Sequence, residues 1–220
     1  YIDYIISTIL PASIQENLID YIDSFTESVG FTPDQTKKLF QAAKSQNIPI
    51  RIHADQLSNL EGAGLAAEFG ALSADHVEYT SEESVIKMAQ NGTTAVLLPI
   101  AFYFLKETQL PPIQAFRDHK VNMAVSTDCN PGTSPSTNLL LALNMASTLF
   151  GLTPTESLRG ATFNAARALG LQNQIGTLEV GKHADLALWA IDHPNQLVAR
   201  IQSPPMIQSW HCGLQQNQKT

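Results

Sequence analysis

Short apolar runs, each closing on a polar residue or a turn and most followed by a segment of helical spacing, are what most constrains the fold of this chain. "IPIRIHAD" (48–55), "ALSADHV" (71–77), "TTAVLLP" (93–99) and "VNMAVSTD" (121–128) read as strands, and "LIDYIDSF" predicts an alternating strand over about 18–25. Helical spacing falls over 1–19, after Thr32, Pro33 and Asp34, over 60–70, from Ser81 to Gln90, from Pro112 to Lys120, and over about 136–150 and 154–169. Gly62 and Gly64 weaken the helix at 60–70. "AVLLP" carries no polar alternation, the pattern of a strand buried on both faces. Strand–helix units of roughly 20–30 residues imply a parallel sheet covered by helices.

Five such units fit two α/β architectures. A doubly wound open sheet is complete with five strands. A (β/α)8 barrel of the TIM type needs eight, and this chain then holds its C-terminal part, about strands 4 to 8, over 1–170. The tail, "IGTLEVGKHADLALWAI" followed by "PPMIQSWHCG", reads as short strands joined by Gly turns.

Charge and cysteine content exclude several functions. With 13 Lys and Arg against 20 Asp and Glu, the net charge of -7 argues against a nucleic-acid partner. No apolar run reaches the roughly 18 residues that a membrane span needs. Cys129 and Cys212 offer no disulfide framework and fit a reducing compartment, so a cytoplasmic location is expected. Neither a P-loop nor a GxGxxG is present to cradle nucleotide phosphates. The sequence opens at Tyr1 inside a helical pattern, which reads as a processed or partial chain.

In parallel α/β folds chemistry gathers at the C-terminal ends of strands. His53 closes "IRIH", His76 closes "LSADH" and Asp128 closes "AVSTD". A carboxylate at a buried strand tip is costly unless something positive compensates it. Imidazole and carboxylate are ligands that Zn2+ and Fe2+ accept in hydrolytic sites, and a metal there would neutralise Asp128. Each residue also has a purely structural role open to it. Asp128, before Asn130, Pro131 and Gly132, suits a turn, and Asp55 or Gln56 can cap the following helix. Cys129 would face away from the strand mouth, and His119 and His183 read as solvated. Neither His193 nor His211 has an evident partner. Phe102, Tyr103, Phe104 and Leu105 read as core or interface.

Two sets of motifs go beyond pattern. "GATFNAARALGLQNQIGTLEVGKHADLALW" (160–189) resembles the C-terminal signature of the amidohydrolase superfamily, carried by Thr162, Asn164, Gly176, Gly181, Ala184 and Asp185 among others. That resemblance implies a last barrel helix running into a small β-sandwich domain, here 171–220. "RIHADQLSN", "SADHVEYTSEE" and "STDCNPGTSP" resemble the imidazolonepropionase family within it. The resemblance covers nearly the whole chain. It implies one divalent metal, Zn2+ or Fe2+, with His53 and Asp128 as ligands. His76 and Asp128 become the catalytic residues, and Gln56, Asn130, Gly132 and Thr133 the substrate contacts.

The reaction so implied is hydrolysis of the cyclic amide 4-imidazolone-5-propanoate to N-formimidoyl-L-glutamate, in histidine degradation. His76 would orient the lactam carbonyl, and Asp128 would carry the proton from water to the leaving nitrogen. The family's remaining metal ligands are an H-x-H pair on the first barrel strand, and no H-x-H occurs in this sequence. The chain is therefore read as a C-terminal portion whose partners are a small-molecule substrate, the remainder of its own polypeptide and, as in the family, a second copy. Another cyclic amidase or deaminase of the superfamily, or an inactive fragment that binds no metal, are the alternatives.

Overall fold

The computed structural model describes residues 1–216. The chain opens with helix α1 (Ile2–Tyr4), a π-helical segment (Ile5–Ile9) and α2 (Leu10–Gln15). Pro11 explains the π segment. It has no N–H to donate and its ring crowds the preceding turn, and the wider ladder there is closed by Leu10 N–H bonding to Ile5 O. Strands β1 (Phe25–Thr26), β2 (Arg51–Ala54), β3 (Ser73–His76), β4 (Thr94–Leu97) and β5 (Met123–Val125) follow, in that order within one sheet. Helices α3 (Pro33–Ser45), α4 (Gly62–Glu68), α5 (Glu82–Asn91), α6 (Pro99–Phe104) and α7 (Ile113–Asp118) alternate with them. After β5 come α8 (Leu139–Phe150), α9 (Pro154–Gly160) and α10 (Phe163–Ala168). Strand β6 (Leu186–Trp189), helix α11 (Gln196–Ala199), β7 (Met206–His211) and β8 (Leu214–Gln216) complete the described chain.

The chain divides into two compact units, Tyr1–Ala95 with Gln109–Asn122, and Val96–Thr108 with Met123–Thr220. In the first, β1 pairs in parallel with β2, and β2 with β3, in the register His53 opposite Asp75 and Ala54 opposite His76. Helix α3 begins in a capping box. Thr32 Oγ1 accepts from Gln35 N–H, while the Gln35 side chain accepts from Thr32 N–H. Its Leu39, Phe40 and Ala43 are buried along one face, as their spacing predicts. Gly62 opens α4 because a Cβ there would meet Ala54 Cβ of β2 at 2.6 Å. The glycine that weakens the helical pattern is therefore what lets helix and strand approach.

In the second unit Val96, Leu98, Ala101, Ala124 and Ala168 form a buried apolar cluster, and Phe102 meets Phe150 edge to face at 5.1 Å. Helix α6 starts directly at Pro99, which suits a first helical turn, and was not expected from the sequence. Of its aromatics Phe102 is core, whereas Tyr103 and Phe104 are exposed. The single helix expected over 154–169 is two, broken at Ala161 and Thr162. Gly160 ends α9 against β5, where a Cβ would meet Val125 Cγ2 at 2.9 Å. The tail forms an antiparallel sheet in the order β6-β7-β8. Among the described residues no helix is long and apolar enough to cross a membrane.

Candidate metal centre

Pairing in register carries the first half of the site. Along β2 Ile52 and Ala54 are buried on one face, which leaves Arg51 and His53 half-buried on the other. Across the ladder they meet Ser73 and Asp75 of β3. Arg51 Nη2 donates to Asp75 Oδ2 at 2.9 Å, Arg51 Nε to Ser73 Oγ at 3.1 Å, and Ser73 Oγ to Asp75 Oδ1 at 2.8 Å. His53 lies between two acids. Its Nδ1 is 3.0 Å from Asp23 Oδ2, and its Nε2 is 3.8 Å from Asp75 Oδ2. Burial pushes the Asp75 carboxyl up, opposed by the charges of His53 and Arg51.

His76 sits at the end of β3 and is 4% exposed. Strict alternation would turn it away from His53, since Asp75 is the residue in register with His53. The backbone instead takes a left-handed conformation at His76 (φ 82) and Val77 (φ 67), and the His76 ring lies 5.6 Å from that of His53. Positive φ at a β-branched valine is strained, and such strain gathers at functional sites. His76 Nδ1 is buried with no hydrogen-bond partner among the described residues. Burial, reinforced by His53 and offset by Asp23, pushes its pKa down to about 3, so the imidazole is neutral at neutral pH.

The loop after β2 is held by a residue that the sequence alone did not single out. Glu27 is fully buried, and its Oε1 accepts from the backbone N–H groups of Gln56 at 2.8 Å and Leu57 at 2.9 Å. Its Oε2 accepts from Ser58 Oγ at 2.6 Å. Gln56 is buried at this anchored turn. Asp55 plays the capping role: Oδ1 accepts from Gly62 N–H, and Oδ2 from Ala63 N–H and Thr80 Oγ1.

The second unit holds the remaining residues. Asp128 does not close β5, which ends at Val125; it lies three residues further on, half-buried, with φ 51. The chain leaves the strand after Val125 and turns at Asp128 itself, which takes the left-handed backbone. Asn130 organises that loop. Its Nδ2 donates to Asp128 O and Thr133 Oγ1, both at 2.8 Å, and its Oδ1 accepts from Gly132 N–H at 2.9 Å and Thr133 N–H at 2.7 Å. Gly132 is exposed and Thr133 half-buried. The Cys129 side chain is exposed.

Sequence reasoning missed Asp23, Arg51, Asp75 and Glu27. Asp75 was within reach as the neighbour of His76 in "SADH", but only the strand register sets it opposite His53.

Imidazoles and carboxylates near the C-terminal ends of parallel strands stand where α/β barrel folds place their chemistry. The chain belongs to the amidohydrolase family, whose sequence profile matches residues 24–213. It is similar to the imidazolonepropionase of Methylobacterium nodulans, 55% identical over 206 residues, or 94% of this chain and 52% of that protein. It is equally similar to the imidazolonepropionase of Brucella anthropi, 55% identical over 94% of this chain and 51% of that protein. The chain spans about half the length of the curated relatives it matches. Among solved structures, an atrazine chlorohydrolase from Arthrobacter aurescens complexed with zinc matches 98% of this chain and 55% of its own. Its TM-score is 0.77 at 18% identity. A zinc-bound adenosine deaminase from Xanthomonas campestris matches 84% of this chain and 49% of its own, with a TM-score of 0.69 at 22% identity. These two share the fold.

Proposed function

We propose that this chain carries part of the active site of an imidazolonepropionase, which hydrolyses 4-imidazolone-5-propanoate to N-formimidoyl-L-glutamate in histidine degradation. The observation that carries the reading is the buried, neutral His76, its Nδ1 unpaired and its ring beside that of His53, in a chain 55% identical to imidazolonepropionases. His53, His76 and Asp128 offer two imidazoles and a carboxylate, a donor set that fits Zn2+ or Fe2+. His53 and Asp128 are the ligands in this reading. A bound divalent cation supplies Lewis acidity, which polarises a carbonyl oxygen and acidifies water.

The chain's own residues do the rest. Asp23 accepts the Nδ1 proton of His53 and so fixes the tautomer that carries its lone pair on Nε2. Neutral His76 donates a hydrogen bond to the lactam carbonyl oxygen and orients it. A carboxylate oxygen of Asp128 takes one proton from water as the water oxygen bonds to the carbonyl carbon. The same proton passes to the ring nitrogen as the C–N bond breaks. Gln56, fixed through its backbone by Glu27, and the Asn130–Thr133 loop contact the substrate. Residues 1–170 belong to the barrel and 171–220 to the sandwich in this reading, with a second copy of the full polypeptide as partner and the cytoplasm as location.

A second reading has its own support. No H-x-H occurs in the chain, and His53 is already engaged by Asp23 and Asp75, so the chain alone folds without turning over substrate.

A chimera tests the proposal, with this chain replacing the matching half of the Methylobacterium nodulans protein. The metal-loaded chimera is expected to hydrolyse imidazolone propionate and to leave cyclic ureas and cytosine-like rings intact. Activity is expected to fall by a factor of about 100 or more on His76→Gln or Asp128→Asn. A folded, metal-loaded chimera without this activity would overturn the proposal.

A further inference from the structure

A second group of ligating side chains lies on the small antiparallel sheet. Asp185 precedes β6, and His211 and Cys212 lie at the turn from β7 to β8. The turn is tied down: Cys212 N–H donates to Asp185 Oδ1 at 2.7 Å, and Gly213 N–H to Ala184 O at 3.0 Å. His183 is anchored through its backbone N–H to Gln174 O at 2.8 Å. Around the Cys212 sulfur stand two imidazole nitrogens, His183 Nδ1 at 3.6 Å and His211 Nε2 at 3.8 Å. The other nitrogen of His211, Nδ1, is 3.0 Å from Asp185 Oδ1.

These separations carry chemical information. A thiolate and an imidazole on one tetrahedral zinc, with Zn–S near 2.3 Å and Zn–N near 2.0 Å, stand about 3.6 Å apart. Both sulfur–nitrogen distances match that edge. Asp185, His211 and Cys212 also present their ligand atoms within 4.8 Å of one another.

We propose that His183, His211 and Cys212 form a second divalent-metal site, suited to a thiolate-accepting ion such as Zn2+, with Asp185 orienting His211. Asp185 accepts the Nδ1 proton of His211, which leaves the Nε2 lone pair facing the sulfur, the usual carboxylate–histidine support of a metal ligand. The bond from Cys212 N–H, joined by the charges of His211 and His183, holds the Asp185 carboxyl below its ordinary range, so it is an acceptor at neutral pH. On binding, the Cys212 thiol gives its proton to solvent as the sulfur–metal bond forms. Three protein donors leave the fourth tetrahedral position to water. All four side chains are exposed, so an ion reaches them from solvent, and His183, which stands outside the group of ligand atoms lying within 4.8 Å of one another, closes on it by side-chain rotation. In the metal-free protein the same contacts serve as weak hydrogen bonds.

Titration of the reduced chain with Co2+ tests the site, because only a thiolate ligand produces a sulfur-to-cobalt charge-transfer band. One equivalent of Co2+ is expected to raise that band, and Zn2+ to remove it by displacement. Cys212→Ser is expected to abolish it and Cys129→Ser to leave it unchanged. His183→Gln and His211→Gln are each expected to weaken Co2+ binding by about tenfold or more. All of these are surface substitutions, and circular dichroism of each variant verifies the fold. No band at saturating Co2+, a band that follows Cys129, or one indifferent to both histidines would overturn the site.

Discussion

His76 shows what a single residue is made to do. Its imidazole is buried, its backbone is held at φ 82, and its folded-state pKa of about 3 lies well below the ordinary 6.5. The folded protein therefore refuses a proton that the unfolded chain accepts. This contribution to stability is complete above pH 6.5 and is lost as the pH falls from there towards 3. Between pH 7 and pH 5 the metal-free chain is expected to lose about 2 kcal/mol from this group alone. Urea denaturation at the two pH values measures the loss, and His76→Gln is expected to remove most of it. An unchanged pH dependence in the variant would contradict the assignment.

At this scale the sequence was legible where chemistry follows residue type and position along one strand. His53 stands at a strand end, and Asp55 caps the helix after it. It was not legible where chemistry depends on a neighbour distant in sequence. Asp23, Asp75 and Glu27 meet His53 or its loop across strand pairings and a loop closure that no local pattern encodes.

Elements were readable where local signals agreed with the fold. Thr32, Pro33 and Gln35 mark the start of α3, and the helix begins there. Removing the cap hydroxyl with Thr32→Ala is expected to cost about 1 kcal/mol, read from the denaturation midpoint at constant slope. The departures arise where packing overrides the local pattern. A proline in mid-helix forces the π segment, and the backbone leaves the helical region at Thr162, between α9 and α10. The loop after β2 depends on one carboxylate. Glu27→Ala takes this acceptor from the N–H groups of buried Gln56 and of Leu57 and removes the partner of Ser58, and is expected to destabilise the chain by about 2 kcal/mol. Equal stability of this variant and the parent would show that the loop holds itself.

For the molecule as a whole, the parallel sheet begins at β1 and ends at β5, with no further strand beyond either among the described residues. Open edges beside apolar strands favour pairing with other chains. Light scattering after size exclusion is expected to give a mass above that of one chain, and a sharp monomer at micromolar concentration would contradict this. The amidohydrolase profile and the two zinc-bound neighbours agree with the strand–helix alternation read from the sequence.

The most direct measurement is equilibrium titration of Zn2+ into the chain carrying Cys212→Ser, His183→Gln and His211→Gln, in which the proposed tail site has lost its ligands. The expected result is one Zn2+ per chain, released on dialysis because the H-x-H ligands are missing from this sequence, and lost on His53→Ala or Asp128→Ala. No binding at saturating Zn2+, or binding indifferent to both substitutions, would contradict the assignment of His53 and Asp128 as metal ligands.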